Sequence, residues 1–255
     1  MILQGQRIVV TGSASGMGAA VVRDFAAHGA QVVAMDVNEA ANVAAAATVQ
    51  GPGKAYPVTC DVSAEASVQA AFATANRLLG GLDSLVHAAG ISPSSPAEKT
   101  STELWDRVID INARGTFLTN VAAFDYLKDA GGRILNFASA AGVNGYPGKA
   151  AYSASKGAVL GWLRAVAVEW APYRITVNAI LPGIWTPMYE KTRSEMSPEQ
   201  LRAHDALMAT LIPLGGKLGD PDRDLAPVLR FLVTEDARFM TGQTFAIDGG
   251  LLMVR

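Results

Sequence analysis

The sequence predicts a doubly wound α/β fold, in which a parallel sheet of seven strands carries helices on both faces. Three observations support this prediction. Strand-like and helical segments alternate along the whole chain, which is typical of parallel sheets with right-handed crossovers. A glycine-rich turn joins the first strand to the first helix. Half of the 255 residues are hydrophobic and 17% are charged, as expected for a sheet buried on both faces.

The predicted strands are short apolar or β-branched runs that end at turn residues. In chain order they are Arg7–Thr11, Gln31–Met35, Ala55–Thr59, Ser84–His87, Gly132–Phe137, Ile175–Ile180 and Thr244–Ile247. The helices between them show apolar residues at i, i+3 and i+4 spacing. They cover about Met17–Ala27, Glu39–Ala46, Ala64–Leu79, Thr102–Leu127, Lys149–Trp170 and Pro221–Val233, with a further helical stretch at Pro198–Leu211. We expect one domain over residues 1–255, with a substrate lid at about 184–216.

Composition and charge exclude several classes of protein. The net charge of −2 offers no attraction for nucleic acid, and the best candidate for a membrane span is broken by Arg164 and Glu169. A strand begins almost at the N-terminus, which leaves no room for a signal peptide and indicates a cytoplasmic protein. The three histidines lack metal-ligand spacing, and the single cysteine, Cys60, is interpreted as a small buried hydrophobe. We therefore predict no bound metal.

Three glycines in the first turn indicate a dinucleotide-binding site of the Rossmann type. Gly12, Gly16 and Gly18 lie between the first strand and the first helix, with the spacing G-x-x-x-G-x-G. Glycine lets the backbone approach a pyrophosphate closely, and a helix N-terminus offers unpaired N–H groups and the positive end of its dipole. A plain tight turn is the alternative interpretation. The position of the turn between a strand and a helix favours the phosphate site.

Asp36 stands at the end of the second strand, 24 residues after Gly12. An acidic side chain there accepts hydrogen bonds from ribose hydroxyls and repels a 2′-phosphate. No lysine or arginine lies beside it or in the glycine-rich turn, where the residues are Ser13, Ala14, Ser15, Val37 and Asn38. The pattern predicts NAD(H) rather than NADP(H) as the cofactor. A solvated acid at a strand end is the alternative.

Tyr152 and Lys156 lie four residues apart in a segment with helical periodicity. Residues at i and i+4 share one helix face, so a phenol is expected beside an ammonium group. A free tyrosine has a pKa of about 10, and a neighbouring positive charge favours the phenolate, which suits proton transfer. Such a pair also arises by chance, so its surroundings decide its meaning.

Together these motifs resemble the short-chain dehydrogenase/reductase family in its single-domain form. The resemblance covers the whole chain and rests on the order and spacing of the motifs. The matching positions are Thr11-Gly12…Gly16-x-Gly18, Asp61-Val62, Ala89-Gly90, Asn112, Ser139, Tyr152-x-x-x-Lys156, Pro182-Gly183 and the closing segment Thr241–Gly250. The spacing of 13 residues from the serine to the tyrosine is the most telling of these.

The resemblance implies a role for each of four residues. Tyr152 is expected to exchange a proton with the substrate oxygen, and Ser139 to hydrogen-bond that same oxygen. Lys156 is expected to bind the nicotinamide ribose and to lower the pKa of Tyr152. Asn112, within a helix, is expected to help hold a water that links Lys156 to solvent. Two donors that converge on one oxygen suit a reaction in which hydride moves at carbon while charge develops on oxygen.

The family pattern also implies the residues that contact the cofactor. They are Gly12, Ser15, Gly16, Met17, Gly18, Asp36, Asp61, Val62, Ala89, Gly90, Tyr152, Lys156, Pro182, Gly183, Ile184 and Thr186, the last of these at the carboxamide. One departure follows the fourth strand, where His87-Ala88-Ala89-Gly90 replaces the family's Asn-Asn-Ala-Gly. It concerns the adenosine site more than the chemistry. His87 is interpreted as a structural group, because a histidine at a buried strand end is more often structural than catalytic.

A substrate pocket is predicted around the lid. Its large and soft apolar side chains favour an uncharged substrate. The predicted lining residues are Ile91, Val143, Tyr146, Trp185, Met188, Tyr189, Met208 and Leu211. Each of them could instead belong to the core or to a subunit interface. Lys149 and Arg193 are the candidates for binding a substrate carboxylate.

Three classes of function compete. The first is an NAD(H)-dependent enzyme that interconverts a secondary alcohol and a ketone, with a sugar, a hydroxy acid or a 3-oxoacyl thioester as the alternative polar substrate. The second is a lyase or epimerase that retains its NAD, although the relatives that do this usually carry a further C-terminal domain. The third is a catalytically silent dinucleotide sensor. The four matched residues favour the first class.

The assembly is predicted from two long helices. Thr102–Leu127 and Lys149–Trp170 are apolar over wide arcs, and one arc of each is enough to cover the sheet. In the family such helices pair across a two-fold axis, and the C-terminal segment makes a second contact. We therefore expect a homotetramer.

Overall fold

The structure is a computed structural model that describes residues 2–253, and it is built on one sheet of seven strands. The strands are β1 (Arg7–Thr11), β2 (Gln31–Asp36), β3 (Lys54–Thr59), β4 (Ser84–His87), β5 (Gly132–Phe137), β6 (Ile175–Pro182) and β7 (Thr244–Ile247). Their order across the sheet is β3-β2-β1-β4-β5-β6-β7. The predicted domain of residues 1–255 includes residues 1, 254 and 255, which lie outside the described part.

The sheet confirms the predicted fold class and the position of every predicted strand. All six pairings between neighbouring strands are parallel. Four strands have the predicted bounds, whereas β2, β3 and β6 are longer by one or two residues. The direction of the strand order reverses between β1 and β4, and ligands of such sheets bind beyond the carboxyl ends of the strands at this point.

Ten α-helices accompany the sheet in residues 2–253. They are α1 (Gly16–Ala27), α2 (Glu39–Ala47), α3 (Glu65–Leu79), α4 (Thr102–Ile109), α5 (Gly115–Leu127), α6 (Ala141–Asn144), α7 (Ala150–Glu169), α8 (Pro187–Ser194), α9 (Pro198–Leu211) and α10 (Ala226–Leu232). Helices α1 and α10 enclose one apolar core with the sheet, and α3, α5 and α7 enclose a second. No helix in this part of the chain combines the length and the apolar character that crossing a membrane requires.

The segment Thr102–Leu127, predicted as one helix, is interrupted in the structure. A π-helical turn at Asp110–Arg114 separates α4 from α5. The turn is supported from a separate segment, because the side chain of Asn112 is hydrogen-bonded to the backbone of Ile91 in the loop after β4. The hydroxyl of Thr116 also donates to the carbonyl oxygen of Asn112 at 2.7 Å. Single π-helical turns of this kind are frequent at functional sites.

Three further helical features differ from the prediction. The predicted helix Pro221–Val233 begins with a π-helical turn at Pro221–Leu225, which Asp220 caps by accepting two backbone N–H groups. Helices α6 and α8 were not predicted. They contain four and eight residues, which is too short for apolar periodicity to be recognised.

A buried polar contact joins the helices and the sheet that enclose the second core. The side-chain amides of Asn120 on α5 and Asn136 on β5 donate to each other's oxygen at 2.8 Å. The indole N–H of Trp162 on α7 also donates to Asn120, at 3.1 Å. A buried amide without hydrogen-bond partners is destabilising, so this reciprocal pair fixes the positions of α5 and α7 against β5.

Candidate active site

Most of the predicted site residues meet at the carboxyl ends of the strands. Gly12 follows β1 and Asp36 ends β2, while Gly90 and Ser139 lie just beyond β4 and β5. These ends share one edge of the sheet, because all the strands run in the same direction. Tyr152 on α7 reaches the same edge, where its phenol lies beside the Ser139 hydroxyl.

The glycine-rich turn is packed so closely that two of its glycines leave no room for a side chain. Gly12 has a φ of +69°, and a Cβ at this position would lie 2.7 Å from the backbone nitrogen of Ala89. A Cβ at Gly18 would overlap the carbonyl oxygen of Gly12. The turn therefore brings the N-terminus of α1 into close backbone contact with the loop after β4.

The N-terminus of α1 is suited to an anionic ligand. Its cap residue, Ser15, makes no side-chain hydrogen bond to the helix, and the first helical turn contains no acidic residue. Unpaired N–H groups at a helix N-terminus bind phosphate. Gly16 has a φ of +56°, and a Cβ there would lie 3.5 Å from Pro187 and 3.8 Å from Thr186. The residues present thus fit the pyrophosphate of a dinucleotide, with the start of the predicted lid beside it.

Asp36 is hydrogen-bonded to the same turn. Its Oδ2 accepts from the N–H of Ala14 at 3.0 Å, and its Oδ1 accepts from the N–H of Asn38 at 2.9 Å. A carboxylate has about four acceptor sites, so each oxygen can still accept from a further donor. The side chain is therefore held in place and remains able to accept from a ribose hydroxyl.

Asp61 and Val62 lie beyond β3 on the same edge of the sheet. The Oδ1 of Asp61 accepts from the N–H and the hydroxyl of Ser63, at 2.9 and 2.6 Å. Val62 packs against α5, where a Cβ at Gly115 would lie 3.0 Å from its side chain. The glycine thus lets α5 approach the loop after β3.

Gly90 lies where the predicted cofactor contacts meet the predicted catalytic residues. A Cβ at Gly90 would lie 3.1 Å from Oδ1 of Asn112 and 3.4 Å from Nζ of Lys156. Asn112 is fully buried, and its amide accepts from the N–H of Ile91 at 2.8 Å and donates to the Ile91 carbonyl at 2.9 Å. The amide therefore holds the loop after β4 against the π-helical turn.

Ser155 also belongs to this group of residues, although the motif spacing did not predict it. Its hydroxyl accepts from Nδ2 of Asn112 at 3.0 Å and donates to the carbonyl oxygen of Tyr152 at 2.7 Å. It therefore joins the π-helical turn to α7. The available signal was its place directly before Lys156, but spacing alone does not separate such a serine from any other helical serine.

Lys156 is the buried cation of the site. Its side chain is 4% exposed, and its Nζ donates to the carbonyl oxygen of Phe137 at 2.6 Å. The same atom lies 5.9 Å from the centre of the Tyr152 ring. Burial lowers the pKa of Lys156 to about 8, because the charged form loses hydration. The i, i+4 spacing thus does place the ammonium group near the phenol.

The electrostatics of Tyr152 differ from the expectation. Burial raises the pKa of Tyr152 above its ordinary value, and the neighbouring Ser139 hydroxyl opposes that rise. The ammonium of Lys156, expected to lower this pKa, is directed instead to the Phe137 carbonyl. Ser139 itself accepts from the N–H of Ala141 at 3.1 Å, which leaves its hydroxyl proton available.

His87 is a buried structural group, in agreement with its interpretation from the sequence. Its Nδ1 lies 2.9 Å from the hydroxyl of Thr11 and 3.0 Å from that of Thr119, which links β4 to β1 and α5. Burial, together with the nearby charge of Lys156, lowers the pKa of His87 to about 3. The ring is therefore neutral at ordinary pH. Residues 2–253 contain no group of His, Cys, Asp and Glu arranged to hold a metal ion.

The predicted lid contains α8 and α9, which pack through an aromatic and charged cluster. Trp185 and Tyr189 meet edge to face with ring centres 5.0 Å apart, and the Tyr189 hydroxyl lies 2.6 Å from Nε2 of His204. The guanidinium of Arg193 stacks on the Trp185 ring at 4.9 Å and is paired with Asp205. We call these five residues the lid cluster.

The lid cluster contains two of the predicted pocket residues. The rings of Trp185 and Tyr189 pack on each other and on Arg193. Arg193 is already engaged by Asp205, and Lys149 donates to the carbonyl and hydroxyl oxygens of Ser92 at 2.6 and 3.1 Å. The two cations considered for a substrate carboxylate are thus both occupied by protein partners.

The other predicted pocket residues lie around the same edge with much of their surface free. The exposed fraction is 48% for Val143, 41% for Tyr146, 49% for Met188 and 45% for Leu211. Ile91 and Met208 are half-buried. The structure therefore leaves apolar surface near the site, and the pocket itself remains a prediction.

Comparison with known proteins shows the family of this chain. A family model described as enoyl-(acyl carrier protein) reductase matches residues 12–252. The cyclopentanol dehydrogenase of a Comamonas species is 38% identical over 246 residues, which are 95% of this chain and 95% of that protein. The 3-oxoacyl-(acyl-carrier-protein) reductase of Thermotoga maritima is 36% identical over 256 residues, which are 99% of this chain and 100% of that protein.

The fold is shared with a solved relative as well. The crystal structure of levodione reductase matches with a TM-score of 0.90 at 30% sequence identity, over 97% of this chain and 97% of that chain. The relatives are dehydrogenases and reductases, and the family binds a nicotinamide dinucleotide. With a family model matched over nearly its whole length and relatives above 30% identity, this chain belongs to the short-chain dehydrogenase/reductase family.

Proposed function

We propose that the protein is an NAD(H)-dependent oxidoreductase that interconverts a secondary alcohol and a ketone. The proposal rests on the convergence of Asn112, Ser139, Tyr152 and Lys156 at the sheet edge that also carries the glycine-rich turn. A silent dinucleotide sensor has no need of all four side chains.

Tyr152 is proposed to exchange the proton of the reacting oxygen, with Ser139 as the second donor. A bound nicotinamide supplies or accepts the hydride at the neighbouring carbon. The Ser139 hydroxyl accepts from the N–H of Ala141, so its one proton is free to be donated to the substrate oxygen. Two fixed donors stabilise the negative charge that develops on that oxygen.

Lys156 is proposed to hold positive charge beside the phenol and to bind the ribose next to the nicotinamide. With a pKa of about 8, it is mostly protonated at neutral pH. A positive charge 5.9 Å from the centre of the Tyr152 ring is expected to favour the phenolate. Asn112 and Ser155 are proposed to keep α7 in the required position.

NAD(H) is proposed over NADP(H) because of Asp36. Its carboxylate is held by Ala14 and Asn38 and can accept from a ribose hydroxyl. A 2′-phosphate would instead meet a negative charge, with no lysine or arginine beside it in sequence.

An uncharged substrate is proposed because the free surface near the site is apolar. Met188 and Leu211 expose about half of their side chains, while Lys149 and Arg193 are bound by protein groups. The similarity to a cyclopentanol dehydrogenase favours an alicyclic alcohol. The similarity to a 3-oxoacyl-(acyl-carrier-protein) reductase favours the alternative, a 3-oxoacyl thioester.

Residues 184–216 are proposed to form the substrate lid of one catalytic domain. The segment is anchored at its start, where Ile184 is paired with Gly219 and Thr186 accepts from the N–H of Tyr189 at 3.2 Å. Beyond this anchor, Thr186 lies beside Gly16 of the glycine-rich turn. The lid cluster joins α8 to α9, so the two helices are expected to move together.

A homotetramer is proposed because large apolar side chains are exposed on two faces. One face carries α4, α5 and α7, where Trp105, Phe117, Val121 and Val168 are 42%, 44%, 38% and 76% exposed. The second lies around α10 and the C-terminal segment, where Phe231, Phe239 and Met253 are 43%, 100% and 72% exposed. Apolar surface of this extent marks interaction sites in soluble proteins.

Replacement of Tyr152 by Phe tests the proton transfer. We expect kcat to fall by about 100-fold or more, while the Kd for NADH changes by less than about twofold, because the ring is kept and only the proton carrier is lost. Oxidation by the parent enzyme should accelerate with rising pH, since the raised pKa of Tyr152 keeps the phenol protonated at neutral pH. Steady-state kinetics and fluorescence titration measure these quantities. Tyr126→Phe is the control, and near-normal turnover of Tyr152→Phe would refute the assignment.

The choice of cofactor is tested at Asp36. We expect NAD⁺ to be preferred over NADP⁺ by at least about tenfold in kcat/KM, or roughly 1.4 kcal/mol. Asp36→Ala should narrow this preference, because it removes both the ribose acceptor and the repulsion of a phosphate. Glu39→Ala, which removes a charge from the exposed start of α2, should leave the preference unchanged. Equal kcat/KM for the two cofactors in the parent enzyme would contradict the proposal.

A substrate panel followed at 340 nm tests the chemistry and the pocket. We expect apolar alicyclic, aryl and medium alkyl secondary alcohols to be the best substrates. Each added CH₂ should contribute at most about 0.8 kcal/mol, or roughly fourfold in kcat/KM, until the pocket is full. If a sugar, a hydroxy acid or a 3-oxoacyl thioester exceeds every apolar substrate tenfold, the pocket proposal is wrong. Absence of net NADH formation with every substrate would favour the sensor or the lyase.

Multi-angle light scattering tests the assembly. We expect a mass of four subunits at micromolar concentration, and Val168→Asp should reduce it, because a charge would then be buried in the proposed contact. A monomer that is active at micromolar concentration would exclude the tetramer.

A further inference from the structure

Asn42 is an unusual residue for its position on α2. It is 1% exposed and is the single residue that this helix buries. Asparagine is a poor helix former, and it is seldom found in the interior of proteins. An apolar residue would serve better if packing were the sole requirement, so the amide group needs a separate explanation.

The side chain of Asn42 uses both ends of its amide to join three segments. Its Nδ2 donates to the carbonyl oxygen of Ala34 on β2 at 2.8 Å and to that of Val58 on β3 at 3.4 Å. Its Oδ1 accepts from the hydroxyl of Ser13 at 2.8 Å. Ser13 is itself 1% exposed, so this contact is shielded from water. The amide thus connects the glycine-rich turn to the ends of two strands.

The segment that Asn42 holds is the one that meets Asp36. Immediately after Ser13, the N–H of Ala14 donates to the Asp36 carboxylate at 3.0 Å. Gly12 and Gly16, at either end of this short segment, both have positive φ, so the backbone there is intrinsically permissive. A side-chain hydrogen bond in the middle of such a segment restricts a turn that its glycines would otherwise leave mobile.

We propose that Asn42 is a positioning residue for the cofactor: through Ser13 it fixes the glycine-rich turn against Asp36 in the geometry that binds the adenosine ribose of NAD(H). The inference rests on the proposed use of NAD(H). Asn42 touches Ser13 and the strand carbonyls, so it acts on the cofactor through the turn. Removal of the amide leaves the buried Ser13 hydroxyl without this partner, and the turn can then leave the position in which Ala14 and Asp36 face the ribose.

The test compares Asn42→Ala, Ser13→Ala and the double variant in the full-length protein. Direct titration of NADH by calorimetry gives Kd without turnover, and thermal unfolding in the absence of cofactor reports whether each variant is folded. We expect Asn42→Ala to raise the Kd about tenfold and Ser13→Ala several-fold, with kcat at saturating cofactor within about twofold of the parent. The double variant should bind no more weakly than Asn42→Ala, because both substitutions remove the same contact.

The matched control is Ala44→Gly on the same helix. Ala44 is exposed on α2, and its methyl side chain makes no hydrogen bond. Glycine lowers helix stability by about 1 kcal/mol relative to alanine, so this variant should destabilise α2 while leaving the Kd for NADH within about twofold of the parent. If Ala44→Gly weakens NADH binding as much as Asn42→Ala does, the effect is one of helix stability and the positioning role is wrong.

Two further outcomes would overturn the inference. A folded Asn42→Ala or Ser13→Ala that binds NADH as the parent does would show that the turn needs no such contact. If the increases in Kd caused by the two single substitutions multiply in the double variant, the two side chains act separately. Ser13→Ala removes one hydroxyl group and keeps Asn42 in place, so it provides the answer even if Asn42→Ala fails to fold. If the parent enzyme binds NADPH more tightly than NADH, the proposed use of NAD(H) is wrong. The same titrations carried out with NADPH then test the positioning role of Asn42 separately.

Discussion

Lys156 carries its ammonium group into the interior, where the side chain is 4% exposed and loses most of its hydration. Its pKa falls to about 8 as a result, and the Phe137 carbonyl supplies one hydrogen bond at 2.6 Å. Gly90 leaves room beside the ammonium, and the charge helps to keep His87 neutral. The end of β5, the loop after β4 and α7 must therefore meet at this one group. The geometry around Tyr152 follows from that arrangement.

Side-chain amides hold the site together where regular backbone hydrogen bonding is interrupted. Asn112 supports the loop after β4 from a π-helical turn, and it is linked to α7 through Ser155. Asn42 has the same relation to the glycine-rich turn through Ser13. Buried amides of this kind are stabilising when both ends are paired and costly when one end is not. Two loops with little secondary structure thus become parts of a defined surface.

The predicted lid is anchored at its first residues, whereas its helix α9 is largely exposed. Its first residues are paired with the segment near Gly219, beside the glycine-rich turn, whereas α9 buries none of its residues. The lid cluster joins α8 to α9 through the contact of Tyr189 with His204 and the ion pair of Arg193 with Asp205. Segments with few buried contacts are the ones that open most readily. The proposed role of these helices in substrate selection therefore rests on how α8 and α9 pack against each other.

The alternation of strands and helices, the glycine spacing and the Tyr152-x-x-x-Lys156 motif are properties of local sequence, so the sequence by itself determined the sheet, its ligand-binding edge and the residues gathered there. Spacing along a chain does not say how far a side chain lies from water, or which distant atom it meets. The π-helical turn at Asn112, the raised pKa of Tyr152 and the capture of Arg193 by Asp205 all arise from packing between separate segments. Only the tertiary structure decided them, because desolvation and long-range contacts exist only once those segments have come together.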